Sequence, residues 1–332
     1  MWHMNAMQTR RTLLAAVPAT LLAARAWAAT PYTPVNTDSF PAYVAGFREK
    51  ARKAGISQAT IEQAFGNVRV VQRAIELDRN QPESKLTWTQ YRTRIVNEQR
   101  IAQGRKLYVQ HKPLLAQVTA RYGVPGSVIM GIWALESNYG GDSGNFNVIN
   151  CMTTLAWEGR RRAFFETQLM DALRLIERGD VTADKMLGSY TGAMGQTQFE
   201  PEHYLRYAVD WDGDGKRDLW HSMGDIFAST ANYLAREGWA RDIPWGQQVQ
   251  LPASFDTSLA GHDKRRAIAA WRKIGLSMPA LPETTVVSVV LPGGPGDEAF
   301  LAYYPSYKAI RSYNPPDKYC LSVGLLGDAI TV

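Results

Sequence analysis

Gly123-Val-Pro-Gly-Ser-Val-Ile-Met-Gly-Ile-Trp-Ala-Leu-Glu-Ser-Asn-Tyr-Gly-Gly141 is the stretch on which the reading of this chain turns. Residues 124–140 read as one helix. Trp133, Ile132 and Ile129 precede Glu136 by three, four and seven positions, so they lie on its helical face. The acid therefore shares an apolar face. No Lys or Arg occurs between Arg121 and Arg160, so no cation close in sequence stabilises the ionised form. Such a carboxyl holds its proton to higher pH than a free glutamate. A proton retained near neutrality is what a general acid requires. Asn138-Tyr-Gly-Gly141 stops the helix near Gly140–Gly141. Glu136 then falls in the last turns, beside a loop, where a substrate can reach it.

Around this segment the chain reads as mainly α (α+β). Residues 38–120 carry helical patterning, with Phe40–Lys53, a Ser57-capped helix to Phe65, and one long helix expected from Trp88 to His111. Further helices are expected at Arg160–Arg178 and Asp225–Glu237. From Ile243 to Tyr304, Pro and Gly breaks become frequent. Thr284–Leu291, an alternating or β-branched run, reads as a strand, and Leu291-Pro-Gly-Gly-Pro-Gly296 is a turn cluster. The last stretch, from Tyr307, is expected to be loop and then a helix after Pro316. The divisions implied are 29–110 (N-terminal helical domain), 111–242 (catalytic core), 243–304 (small β-containing domain) and 305–332 (a segment completing the cleft).

The 332 residues are 45% hydrophobic and 20% charged, the balance of a soluble globular protein. Residues 1–28 read as an export signal. Arg10-Arg11 precede the short apolar run Leu13–Ala24, and cleavage is expected after Ala28. The run is too short to span a bilayer, and no Cys follows it to carry a lipid. Losing three arginines and no acid lowers the net charge from +6 to +3. That gives no case for nucleic acid. Cys151 and Cys320 are the only cysteines, and their spacing leaves both a disulfide and two buried thiols open. Ten Trp and fifteen Tyr suit a sugar-binding cleft, and equally an ordinary core.

Two other segments carry chemistry. Ser189-Tyr190 leads into Gly192-Ala-Met-Gly-Gln-Thr-Gln-Phe199, where small residues permit close backbone approach and Gln196 and Gln198 offer amides suited to hydroxyl and acetamido groups. A tight helix-entry turn would have the same composition. Asp210-Trp-Asp-Gly-Asp-Gly-Lys-Arg-Asp-Leu-Trp-His221 places acids at loop positions one, three, five and nine and Gly215 at six. That is the EF-hand spacing for Ca²⁺, with the Lys216 carbonyl at seven. Position twelve is His221 where the usual loop has a bidentate Glu, and Asp225 is the candidate to close the sphere. The expected role of the ion is structural. Asp142, six residues after Glu136, reads as a solvated loop acid.

Taken together, Glu136-Ser-Asn-Tyr-Gly140, Gly192-Ala-Met-Gly-Gln-Thr-Gln-Phe199, the acidic loop, Asp78-Arg-Asn-Gln-Pro-Glu83 with Tyr91, and Tyr313-Asn-Pro-Pro-Asp-Lys-Tyr319 resemble the lytic murein transglycosylases of the membrane-bound B type (glycoside hydrolase family 103). The resemblance covers about residues 38 to 330. It implies a lysozyme-like catalytic core and Glu136 as the single catalytic acid/base. It implies a glycan cleft lined by Ser189, Tyr190, Gln198, Tyr233, Tyr313, Asn314, Tyr319 and Tyr91, and a calcium loop of Asp210, Asp212, Asp214, Lys216 and Asp225. The implied activity is cleavage of peptidoglycan strands with closure of a 1,6-anhydromuramyl ring, by an exported, periplasmic, non-lipidated monomer. The implied partners are glycan strands and other cell-wall enzymes; neither an organic cofactor nor an appended wall-binding module is expected. Two departures stand out: one extra residue between Trp220 and Asp225, and Glu200 where an apolar residue usually follows Gln-Phe. A non-catalytic peptidoglycan scaffold and a hydrolytic muramidase are the alternative readings.

Overall fold

The computed structural model describes residues 38–80 and 86–331. The export signal and Gln81, Pro82 and Glu83 of the Asp78 motif lie outside the described residues. Thirteen α-helices occur among the described residues, with two small antiparallel sheets.

The first helices follow from their caps and stripes. Ser39 and Ser57 accept backbone N–H groups at the starts of α1 (Phe40–Lys53) and α2 (Gln58–Phe65), and Phe47 of α1 packs edge-on to Phe65 of α2 at 6.0 Å. α3 (Gln72–Arg79) follows. The single helix expected over 88–111 is two. Thr87 and Gln90 form a capping box for α4 (Trp88–Ile95), and the chain then breaks at Val96–Asn97. Asn97 accepts Arg100 N–H at 2.9 Å and starts α5 (Glu98–Tyr122), which runs eleven residues past His111 and through Pro113. A good N-cap residue at position 97 divides an otherwise continuous helical pattern.

α6 (Gly126–Ser137) carries Glu136 and is buried on almost every side. It lies against α13 (Asp317–Thr331) so closely that side chains at the crossing are excluded. A Cβ on Gly131 would stand 2.4 Å from the Val323 carbonyl, and one on Gly327 would stand 2.6 Å from the Ser127 carbonyl. This backbone-to-backbone seam fixes the height of α13 over the Glu136 turn. β1 (Phe146–Asn147) pairs with β2 (Leu187–Gly188), and between them α7 (Val148–Glu158) packs on α8 (Arg162–Glu177). α9 (Pro201–Tyr207) lies on α8, and α10 (Met223–Arg236) lies across α5.

The region expected to contain strands holds a four-stranded antiparallel sheet in the order β3-β6-β5-β4: β3 (Gly246–Val249), β4 (Arg266–Ala267), β5 (Val286–Val290) and β6 (Ala299–Tyr304). Val287 faces Tyr303 in register. With α11 (Ile268–Lys273), the sheet encloses Ile268, Trp271, Leu276, Val287, Val289, Leu301 and Tyr303. Trp271 donates its indole N–H to the Val287 carbonyl at 2.9 Å.

The stretch from Tyr307 is not the expected loop. Ser306–Tyr313 forms α12, whose buried face is Ser306, Tyr307, Ala309 and Ile310. Polar residues mask this short amphipathic turn, and Pro315-Pro316 separates it from α13. Cys151 and Cys320 are both free and buried.

Candidate active site

Glu136 is the penultimate residue of α6. The helix stops at Ser137, three residues before the expected glycine, because Asn138 takes the left-handed conformation at φ 49°. Its N–H bonds the Ala134 carbonyl at 3.0 Å. Ser137 Oγ donates to the Trp133 carbonyl and accepts Gly140 N–H, which locks the turn. Arg100 of α5 donates its guanidinium to Asn138 Oδ1 and to the Ile95 carbonyl.

Tyr319, near the start of α13, donates its hydroxyl to Glu136 Oε1 at 2.5 Å. Burial pushes the Glu136 carboxyl up to about 7, while this hydrogen bond acts the other way. The acid thus holds its proton to higher pH than a free glutamate. Tyr319 is buried, and burial together with the Glu136 charge raises its hydroxyl well above the ordinary range, so it remains a donor. Tyr313, at the end of α12, is raised by the same two causes and donates to the Thr197 carbonyl. The rings continue from there. Tyr313 lies 4.8 Å from Tyr233, and Tyr233 lies 4.4 Å from Tyr207 and 5.7 Å from Phe199. Tyr233 is only 3% exposed and donates to the Ser312 carbonyl at 2.6 Å, so it forms the back of the aromatic wall.

The Gly192–Phe199 turn follows β2. Ser189 is partly exposed; its Oγ accepts Ala193 N–H at 3.1 Å and lies 3.1 Å from Thr191 Oγ1. Tyr190 meets Phe146 edge-on at 6.4 Å. Gln198, at φ 51°, donates its amide protons to the Ser143 and Gly195 carbonyls, which leaves its own carbonyl as the group it can offer a ligand. Gln196 is not a ligand-facing amide. Its Oε1 accepts Trp133 Nε1–H at 2.7 Å and its Nε2 donates to the Trp220 carbonyl at 2.6 Å, tying α6 to the acidic loop. Asn314 is partly exposed at the end of α12, and Tyr91 is partly exposed on α4, which packs on α13. Asp142 is exposed and accepts Gly144 N–H.

In the acidic loop, carboxylate oxygens of Asp210, Asp212 and Asp214 lie within 4.8 Å of one another. Asp210 also accepts Gly213 and Gly215 N–H, and Asp214 accepts Lys216 N–H, so the loop winds around its own acids. Converging carboxylates repel unless a cation joins them, and an all-oxygen set fits a hard divalent ion. Asp225 is fully buried and not part of that trio. Its two oxygens accept Trp211 and Asp218 N–H at 2.8 and 2.7 Å, joining the two arms of the loop. His221, at loop position twelve, pairs instead with Asp218.

Asp317 opens α13, two residues before Tyr319. It gathers Tyr307, Arg311 and His262, and its only sequence signal is its place between Tyr313 and Tyr319.

The helix-rich core and its small sheets are those of the lysozyme-like lytic transglycosylases. A family model described as "Transglycosylase SLT domain" matches residues 39–328, and the chain belongs to that family. It is 28% identical over 253 residues to "Membrane-bound lytic murein transglycosylase B" of Escherichia coli strain K12, covering 74% of this chain and 68% of that protein. SltB3 from Pseudomonas aeruginosa, solved in complex with NAG-NAM-pentapeptide, is 42% identical with a TM-score of 0.86, over 89% of this chain and 80% of that one. The Escherichia coli lytic transglycosylase Slt35, solved in complex with calcium, is 25% identical with a TM-score of 0.75, over 87% and 92%.

Proposed function

We propose that this chain cleaves the β-1,4 bond between N-acetylmuramic acid and N-acetylglucosamine in peptidoglycan, leaving a 1,6-anhydromuramyl end. The observation that carries the reading is Glu136: its carboxyl is raised to about 7 and aimed by the Tyr319 hydroxyl, within a family of lytic transglycosylases. Glu136, protonated, gives its proton to the leaving glycosidic oxygen. The substrate's own acetamido oxygen stabilises the cation at C1, so no second carboxylate is needed. Glu136, now ionised, takes the proton of the muramyl C6 hydroxyl as that oxygen attacks C1 and closes the ring. The Tyr319 hydroxyl supports the ionised state between the two transfers. Ser189 and the Gln198 carbonyl would orient the acetamido group, and Tyr190, Tyr313, Asn314 and Tyr91 would line the sugar path in front of Tyr233. That SltB3 has also been solved with NAG-anhNAM-pentapeptide supports the anhydro product.

Asp210, Asp212, Asp214 and the Lys216 carbonyl would hold Ca²⁺. Asp225 would draw the loop arms together from behind and lend its remaining lone pairs. The ion would stiffen the loop that Gln196 joins to α6. We place the enzyme in the periplasm as an exported monomer, acting on glycan strands alongside other cell-wall enzymes. No helix among the described residues is long and apolar enough to cross a membrane.

The test is purified sacculi incubated with the protein and read by mass spectrometry. Anhydro-ended muropeptides are expected. Products heavier by one water would make it a muramidase, and sedimentation with sacculi without release would make it a scaffold.

A further inference from the structure

Asp317 opens α13 and draws in three side chains from other elements. Tyr307 of α12 donates to Asp317 Oδ1 at 2.9 Å, and Arg311 of the same helix donates to the same oxygen. His262, in the loop between β3 and β4, sets its Nδ1 3.1 Å from Oδ2. These are no loose surface pairs, since Tyr307 is fully buried and the Arg311 side chain is 19% exposed. His262 is itself held, because its carbonyl accepts Tyr304 O–H at 2.6 Å and Arg265 Nε–H at 3.2 Å.

Two residues after Asp317 stands Tyr319. The turn between them is stiff. Tyr319 N–H and Cys320 N–H both bond the Pro316 carbonyl, Cys320 Sγ bonds the Asn314 carbonyl, and Lys318 donates to the Leu86 carbonyl. Whatever fixes this turn fixes the Tyr319 ring. An acid displaced by an ångström from its working geometry loses much of its rate.

We propose that Asp317 is a positioning residue. By anchoring the first turn of α13 to α12 and to the small sheet, it holds the Tyr319 hydroxyl on Glu136. The proposal rests on the functional reading above in that Glu136 is taken as the acid. The titratable groups that face Glu136 are Tyr319 of α13 and Tyr313 of α12. Those around Asp317 are Tyr307, Arg311 and His262. Without the anchor, Tyr319 loosens its bond, and the one influence that lowers the Glu136 carboxyl is lost.

The experiment compares wild type, Asp317→Asn, Tyr319→Phe and the double variant, by turnover on sacculi and by carbon NMR titration of the Glu136 carboxyl. Asp317→Asn keeps the shape and removes the charge. Its kcat is expected to fall about tenfold with KM nearly unchanged, and its Glu136 midpoint to rise. In the Tyr319→Phe background the same change should add little, because both act through one hydroxyl. Tyr307→Phe, an isosteric change, should move both readouts the same way by less, and serves if Asp317→Asn does not fold. An unmoved midpoint with unchanged kcat, or effects of Asp317→Asn and Tyr319→Phe that multiply independently, would overturn the proposal. A midpoint that rises in Asp317→Asn, when wild type releases no anhydro product, upholds the anchor and defeats the functional reading instead.

Discussion

Trp133 donates its indole N–H to Gln196 Oε1 at 2.7 Å, one helical turn before Glu136. The same glutamine reaches the Trp220 carbonyl in the acidic loop. Gly140 lies against it so closely that a Cβ there would stand 2.4 Å from Gln196 Oε1. One amide thus links the acid's helix, the turn that ends it and the candidate calcium loop. Its neighbours depend on it for their hydrogen bonds.

Replacing Gln196 by Leu should therefore leave a buried indole N–H and a loop carbonyl unpaired. The expected loss is on the order of 2 kcal/mol in urea unfolding, with reduced turnover. An unfolding midpoint equal to wild type would mean that the link carries no load.

Glu136→Gln should abolish turnover and also stabilise the fold at alkaline pH. A carboxyl raised from 4.5 to about 7 on folding binds a proton that the unfolded chain has released, so the native state weakens as pH climbs from about 4.5 through 7. The amide escapes that penalty. Its unfolding free energy should match wild type near pH 4.5 and exceed it at pH 8 by about 3 kcal/mol. Equal melts at both pH values would show that the carboxyl is not held protonated by burial.

The acid's helix is legible in the sequence because almost every residue of α6 is apolar and buried, and because glycines and Asn138 mark its end. The four-stranded sheet is only partly legible. β5 is seen through its β-branched run Val286-Val-Ser-Val-Val290, but its partner β6, Ala299-Phe-Leu-Ala-Tyr-Tyr304, is buried along its whole length and shows no period of two. α12 hides because its eight residues are too few for a helical period to stand out. The roles of Gln196 and Asp317 are invisible for a different reason. Each acts on residues far away in sequence, and an amide that would suit a sugar equally suits an indole and a carbonyl. Composition identifies the donors, and only the fold says who receives them.

Activity should require protonated Glu136, so kcat/KM should decline as pH rises through about 7. Tyr319→Phe removes the hydroxyl that favours the ionised form. Its alkaline limb should move to higher pH while the maximal rate falls about tenfold. A limb that stays in place would separate Tyr319 from the ionisation of Glu136.

Calcium removal should soften the loop rather than stop the chemistry directly. Asp210, Asp212 and Asp214 repel one another without a cation, and an ion that binds only the native state stabilises it by mass action. With millimolar Ca²⁺ the protein should melt several degrees above its chelator-treated form, by about 2–4 °C for each kcal/mol of binding linkage. The double change Asp210→Asn with Asp212→Asn should erase that difference by withdrawing two charges from the trio. Asp225→Asn should behave otherwise: it disturbs the bonds from Trp211 and Asp218, so it should lower the melt with or without the ion. If wild type melts identically with chelator and with calcium, the acidic loop is held by its own backbone hydrogen bonds alone.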